Sequence, residues 1–220
     1  MDSQLRFGHG LSEALWNHDR ACSVVPQYLI NRDKSMIVTL ALIFALVLGR
    51  ATDKPMKIDF GNAPDKSQEW VLLSDNVMGG VTKSTLTYTS NSAVLTGDIS
   101  FKNYGGFASI KTKFRGVDLS AYRGVKIRFK SVNQKYAFTL EDSRNWTQPN
   151  YKCKFASKKA DTWEEVTLYF ADFKEYVIGE STGNSMDVRV LQDIVRLGVM
   201  TDEKKEGPFS IEIDYVEFFS

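Results

Sequence analysis

The feature that most narrows the fold of this chain is a hydrophobic period of two. Val125, Ile127 and Phe129 alternate with polar residues, as do Tyr136, Phe138 and Leu140; Tyr151, Cys153 and Phe155; Val166, Leu168 and Phe170; and Phe209, Ile211, Ile213 and Tyr215. Successive side chains of a strand point to opposite faces, so this pattern belongs to strands with one face in a core and the other in water. Further strand candidates cover 57–60, 69–73, 81–89, 93–101, 106–114 and 196–200, and only 190–195 reads as a brief helix. About ten or eleven short strands without intervening helices predict an all-β antiparallel sandwich, a closed barrel being the lesser alternative. Gly79-Gly80 suits the positive φ of a tight hairpin, and Asn133-Gln134 separates two alternating runs as a second hairpin would. Residues 52–220 then form one domain, long enough to bury about 70% of its unfolded surface.

Ahead of that domain stands the only long apolar run, Ile37 to Leu48. As a helix it would extend about 18 to 21 Å at 1.5 Å per residue, short of the roughly 30 Å of a bilayer core. Arg32 and Lys34 precede it, and Gly49 and Ala51 follow. The segment 36–51 therefore reads as a signal-like stretch with cleavage after Ala51, the alternative being a buried core helix, and no stable membrane span is expected. Residues 1–35 form an unusual extension for such a signal, with mixed charge and Trp16 and Pro26, and Met36 is the expected true start. A working signal would place the mature chain in an exported or periplasmic compartment.

Position also limits the chemistry. His9, His18 and Cys22 all precede the apolar run, so from Thr52 onward the chain has no histidine and a single cysteine, Cys153. Ser-His-Asp and Cys-His catalysis, histidine-ligated metals and an internal disulfide are excluded from that region. No cofactor fingerprint is present, so no cofactor is expected. With 28 basic and 27 acidic side chains and a formal charge of +1, the chain lacks the footprint of a nucleic-acid binder. Adjacent acids at Glu141-Asp142, Glu164-Glu165 and Asp202-Glu203 admit a carboxylate-based glycosidase or a calcium site, with solvated surface charge the plainer account.

Two loops carry candidate binding residues. In Ser74 to Gly80, Asp75 and Asn76 could act as polar hooks, Met78 as an apolar contact, and Gly79 and Gly80 could admit close backbone approach. The structural alternative has Asp75 satisfying turn amides and Met78 plugging the end of the core. In Glu141 to Asn150, Trp146 lies among Asn145 and Gln148, the composition of a sugar-binding surface, unless the indole folds back over the core edge. Asn145-Trp146-Thr147 is also the only glycosylation sequon.

The segment WVLLSDNVMGGVTKS (Trp70 to Ser84) resembles the complex I intermediate-associated protein family. The likeness extends through YGGFASIKT (Tyr104 to Thr112), DLSAYRGVKIRFK (Asp118 to Lys130), Trp163 to Phe170 and GPFSIEIDYVEF (Gly207 to Phe218). It implies a jelly-roll sandwich of the galactose-binding-like type without cofactor or established catalysis, and an assembly or chaperone role on protein partners, with a mitochondrial association in some members. The chain departs from the family pattern at Lys111, where an arginine is expected, at Ser84 in place of glycine, and at Ser131 to Gln134 in place of a Gly-Asp-Gly-like turn. The leading expectation is a non-enzymatic β-sandwich binding protein acting on a protein partner; the alternative is an exported carbohydrate-binding module using Trp146.

Overall fold

The computed structural model describes residues 55–61 and 70–220. The extension 1–35 and the signal-like segment 36–51 lie outside the described residues. Thirteen strands are defined among those that are described: β1 (Met56–Asp59), β2 (Trp70–Ser74), β3 (Lys83–Tyr88), β4 (Ala93–Ile99), β5 (Ala108–Thr112), β6 (Gly124–Val132), β7 (Tyr136–Glu141), β8 (Asn150–Phe155), β9 (Glu164–Tyr169), β10 (Lys174–Val177), β11 (Glu180–Ser185), β12 (Arg196–Thr201) and β13 (Gly207–Phe219). They form two antiparallel sheets. One runs β3-β4-β13-β6-β9, with β1 also paired to β13; the other runs β11-β10-β8-β7-β12-β5-β2. The inward faces meet in one core, where Phe129 packs edge-on against Phe155 at 4.9 Å and Phe138 approaches Phe218 at 6.3 Å. Antiparallel pairing follows from the alternation, since each sheet buries one face and leaves the other polar.

β13 organises the six-stranded sheet. It pairs with β6 along nearly its whole length, while its other edge pairs first with β4 and then with β1. The register slips between Ile213 and Tyr215, a bulge whose Asp214 carbonyl accepts from the Phe60 amide at 2.9 Å. One extra residue shifts the phase of the alternation. Beyond it Val216 and Phe218 point inward, whereas Tyr215, expected to continue the inward series, lies on the other face and donates to Glu165 Oε2 at 2.5 Å.

Both expected hairpins are corrected. β2 and β3 belong to different sheets, so Gly79-Gly80 lies in a connection that crosses the sandwich. A 3₁₀ turn, Asp75–Met78, carries the chain out of β2, and Gly79 ends it at φ +88°. β6 and β7 also lie in different sheets; Asn133 takes φ +66°, and Gln134 is buried with its Nε2 donating to the Lys205 carbonyl at 2.7 Å. Two residues between alternating runs specify a reversal of direction, but not which sheet receives the returning strand. A tight hairpin does join β10 to β11 through Ile178 and Gly179, both at positive φ. The brief helix expected over 190–195 appears as a 3₁₀ segment, Val188–Asp193.

Candidate functional site

Asp75 is the only buried member of its turn, at 1% exposed. Its Oδ1 accepts from the Thr82 amide at 3.1 Å, and its Oδ2 accepts from the Gly106 amide at 2.6 Å, the Phe107 amide at 3.4 Å and the Thr82 hydroxyl. The Thr82 hydroxyl in turn accepts from the Ser100 amide at 3.2 Å. One carboxylate thus ties the exit of β2 to the entries of β3 and β5, and so joins the two sheets at one end of the sandwich. Glycine is required beside it for space: a Cβ on Gly80 would lie 2.4 Å from Asp75 Cγ, and one on Gly105 would lie 2.5 Å from Oδ2. The Asp75 to Gly80 segment and the Tyr104-Gly105-Gly106 block, distant in sequence, are therefore parts of one clamp.

What the clamp displays is apolar. Val77 is 67% exposed and Met78 69%, so Met78 does not plug the core. Across from them, Asn103 and Tyr104 both adopt the left-handed backbone region, at φ 55° and 59°, a conformation that costs non-glycine residues about 1 to 2 kcal/mol each. Asn103 Nδ2 donates to the Gly79 carbonyl at 3.1 Å, fastening this loop to the first, and the Tyr104 ring stands fully in solvent. Asn76 and Gly79 are exposed and Gly80 is half-buried.

Trp146 belongs elsewhere. Strand register places Ser74, Ala108, Thr201, Tyr136 and Phe155 at one end of the seven-stranded sheet and Trp70, Thr112, Arg196, Glu141 and Asn150 at the other. The Trp146 loop joins β7 to β8 at the second end, about 17 Å along β7 from the Asp75 end at 3.3 Å per residue. The two sets of candidate residues therefore do not form one site. The indole is 69% exposed and does not fold over the core. Asn145 Oδ1 accepts from the Thr147 amide at 3.1 Å and hydroxyl at 2.9 Å, and the Gln148 amide donates to the Asn145 carbonyl at 3.0 Å, so the loop is held by its own turn. Beneath this end, Glu141 bridges Lys111 at 2.5 Å and Arg196 at 3.6 Å, and Arg196 lies 4.2 Å over the Phe114 ring. Lys111, one of the departures from the family pattern, is thus an ion-pair partner.

A cleft of about 960 Å³ opens on the seven-stranded sheet, running from Phe101 and Tyr104 at the Asp75 end past Lys152, Lys154 and Asp202 to Tyr176, which pairs with Asn150. Lys152 and Lys154 alternate with the inward Tyr151, Cys153 and Phe155, so they face out; yet Lys152 is only 7% exposed, and burial lowers its pKa. Cys153, on the core side, is 8% exposed, and burial pushes its thiol up to about 11, a setting that makes a thiol inert. Sequence reasoning did not reach this cleft. The alternation signals which face Lys152 takes, but nothing local signals that the face is walled. Among the described residues, no cluster of three or more His, Cys, Asp or Glu could hold a metal ion, and no helix is long and apolar enough to cross a membrane.

Two antiparallel sheets in this order, clamped at one end and open in a cleft on one face, define a galactose-binding-like β-sandwich. Solved structures of similar fold include the family 11 carbohydrate-binding module of the cellulosomal cellulase Lic26A-Cel5E of Clostridium thermocellum. It matches at a TM-score of 0.53 and 14% identity, over 76% of this chain and 95% of the module. The same family 11 module in complex with a β-1,3-1,4-mixed-linked tetrasaccharide matches at 0.51, with equal identity and coverage. The sequence model of Complex I intermediate-associated protein 30 matches residues 58–213, and the chain belongs to that family. A curated relative, the mitochondrial Complex I intermediate-associated protein 30 of Mus musculus, is 23% identical over 175 residues, 69% of this chain. The chain spans about half the length of that relative, at 52%.

Proposed function

We propose that this protein is a non-catalytic binding protein that holds protein partners in an assembly or chaperone-like role. Family membership supports the reading, and one observation carries it: Val77, Met78 and Tyr104 stand exposed on a frame pinned by the buried Asp75 carboxylate. Exposed apolar side chains on a mobile loop lower solubility to no purpose; on a fixed frame they form the prepaid centre of an interface. Two of the candidate carboxylates are held in ion pairs, Glu141 by Lys111 and Arg196, and Asp202 by Lys154. Family resemblance favours a mitochondrial association, whereas a working signal at 36–51 would place the chain in an exported or periplasmic compartment instead. The test is a photo-crosslinking residue at Met78 in the native host, repeated in a Val77→Ser/Met78→Ser variant. The reading expects one defined partner, crosslinked by the parent and lost in the variant at unchanged melting temperature. Identical crosslinks from both proteins would refute it.

A second reading, carbohydrate binding at the Trp146 loop, is favoured by the exposure of that indole beside Asn145 and Gln148. Glycan-array binding by the parent, abolished in Trp146→Ala, would establish it; silence of the parent would remove it.

A further inference from the structure

The cleft on the outer face of the seven-stranded sheet has a chemistry that neither loop shares. Lys152 is the unusual residue. Its Nζ lies 3.8 Å from Asp202 Oδ1, beyond hydrogen-bond distance, and 4.6 Å from the centre of the Tyr176 ring. The flanking charges are compensated: Lys154 Nζ is 2.6 Å from Asp202 Oδ2, and Lys135 Nζ is 3.5 Å from Glu203 Oε1. An ammonium has three donors, and a cation removed from water is costly unless oxygen acceptors surround it. At 7% exposed, facing the cleft and with its ion-pair neighbour Asp202 also engaged by Lys154, Lys152 is the cation best placed to take a charged oxygen from a bound molecule.

The rest of the lining limits what that molecule can be. Glu180, Asp202 and Glu203 border the same space, so a ligand with several anionic groups in a row would set some of them against carboxylates. That argues against a phosphate chain, an acidic peptide run and a nucleic acid. Hydroxyl groups suit the lining, because each can donate to a carboxylate and accept from a lysine. Tyr176, together with Phe101 at 42% exposed and Tyr104 at the mouth, supplies apolar faces for ring C–H groups. The volume of about 960 Å³ is of the size that small-molecule sites occupy.

We propose that this cleft binds a saccharide carrying a single carboxylate, a uronic acid residue joined to neutral sugar, with the carboxylate on Lys152. The inference goes beyond the partner-binding reading and does not rest on it: the two share Tyr104 at the cleft mouth, but Val77 and Met78 are outside the lining and Lys152 has no part in the partner frame. Trp146 is not among the residues that line this cleft.

The test is a calorimetric and NMR titration of the full chain with a disaccharide of one uronic acid and one neutral sugar, compared with its carboxyl-reduced neutral counterpart. The parent is expected to bind the acidic disaccharide at least tenfold more tightly, with shift changes centred on Lys152, Tyr176 and Asp202. Lys152→Met should reduce the acidic ligand to the affinity of the neutral one. Equal affinity of the parent for the two ligands, absence of binding at millimolar concentration, or tight binding retained in Lys152→Met would each overturn the proposal. If Lys152→Met does not fold, the two-ligand comparison and the shift map of the parent decide alone.

Discussion

Replacing Asp75 by asparagine tests whether the Asp75 to Gly80 block is a structural clamp. The substitution keeps the shape and one acceptor oxygen but exchanges the other for an NH₂ group. Both carboxylate oxygens receive backbone amides, Thr82 on Oδ1 and Gly106 and Phe107 on Oδ2. Whichever way the amide turns, at least one buried N–H therefore meets a donor. Hydrogen bonds to a charged group contribute about 1.5 to 3 kcal/mol each, and a buried unsatisfied donor costs about 1 to 3 kcal/mol. The expected loss is about 3 kcal/mol for Asp75→Asn, and more for Asp75→Ala, which leaves every donor unpaired. In a domain of this size 1 kcal/mol moves the midpoint by about 2 to 4 °C, so the asparagine variant should melt about 6 to 12 °C below the parent. Urea denaturation followed by tryptophan fluorescence gives the free energy directly. A midpoint within 1 °C of the parent would refute the clamp and return Asp75 to the role of an exposed polar hook.

Three further outcomes follow from burial and backbone geometry. Gly79→Val should destabilise by at least about 1 to 2 kcal/mol, because a β-branched residue tolerates φ +88° badly although no atom lies near its Cβ; a parental melt would show that the turn can rearrange. Trp146→Ala should change stability by less than about 0.5 kcal/mol, since the indole is mostly in water; a large drop in melting temperature would mean that it packs on the core in solution. Stability should decline as pH rises above the ordinary range of thiols and phenols, because burial holds Cys153 up to about 11 and Tyr151 up to about 12. Their protons are retained in the folded chain and lost first from the unfolded one; denaturation midpoints flat to pH 11 would contradict this.

The sequence made the core strands legible because their inward residues carry bulk at every second position; β6, β7, β8 and β9 fall where the alternation puts them. It was silent on β10 and β11. Every residue of Glu180–Ser185 is exposed, so that edge strand buries nothing and leaves no apolar period to read. Sheet membership was likewise invisible, since the turns at Gly79-Gly80 and Asn133-Gln134 are locally compatible with hairpins and only distant partners draw the chain across the core. At the candidate sites, the residues of the Asp75 loop and the Trp146 loop were visible as types. Their separation to opposite ends of a sheet was not, because it depends on the register of four strands. The Asp75 clamp joins groups 31 residues apart, from Asp75 to Gly106, and the Lys152 cleft draws on strands from β8 to β12; proximity of that kind is absent from any local window.

The placement of β13 has a consequence for how the chain acquires its structure during synthesis. It is the last strand of the domain in chain order, yet it supplies the middle of the six-stranded sheet and pairs with β1, β4 and β6. Until it leaves the ribosome, β1 has no partner strand in that sheet, and β4 and β6 each offer a bare edge to other chains. The nascent protein is therefore a set of unfinished halves, and folding waits on contacts of the largest sequence separation, which are the slowest to form. Until β13 has closed the sheet, those unpaired edges are exposed to misassociation.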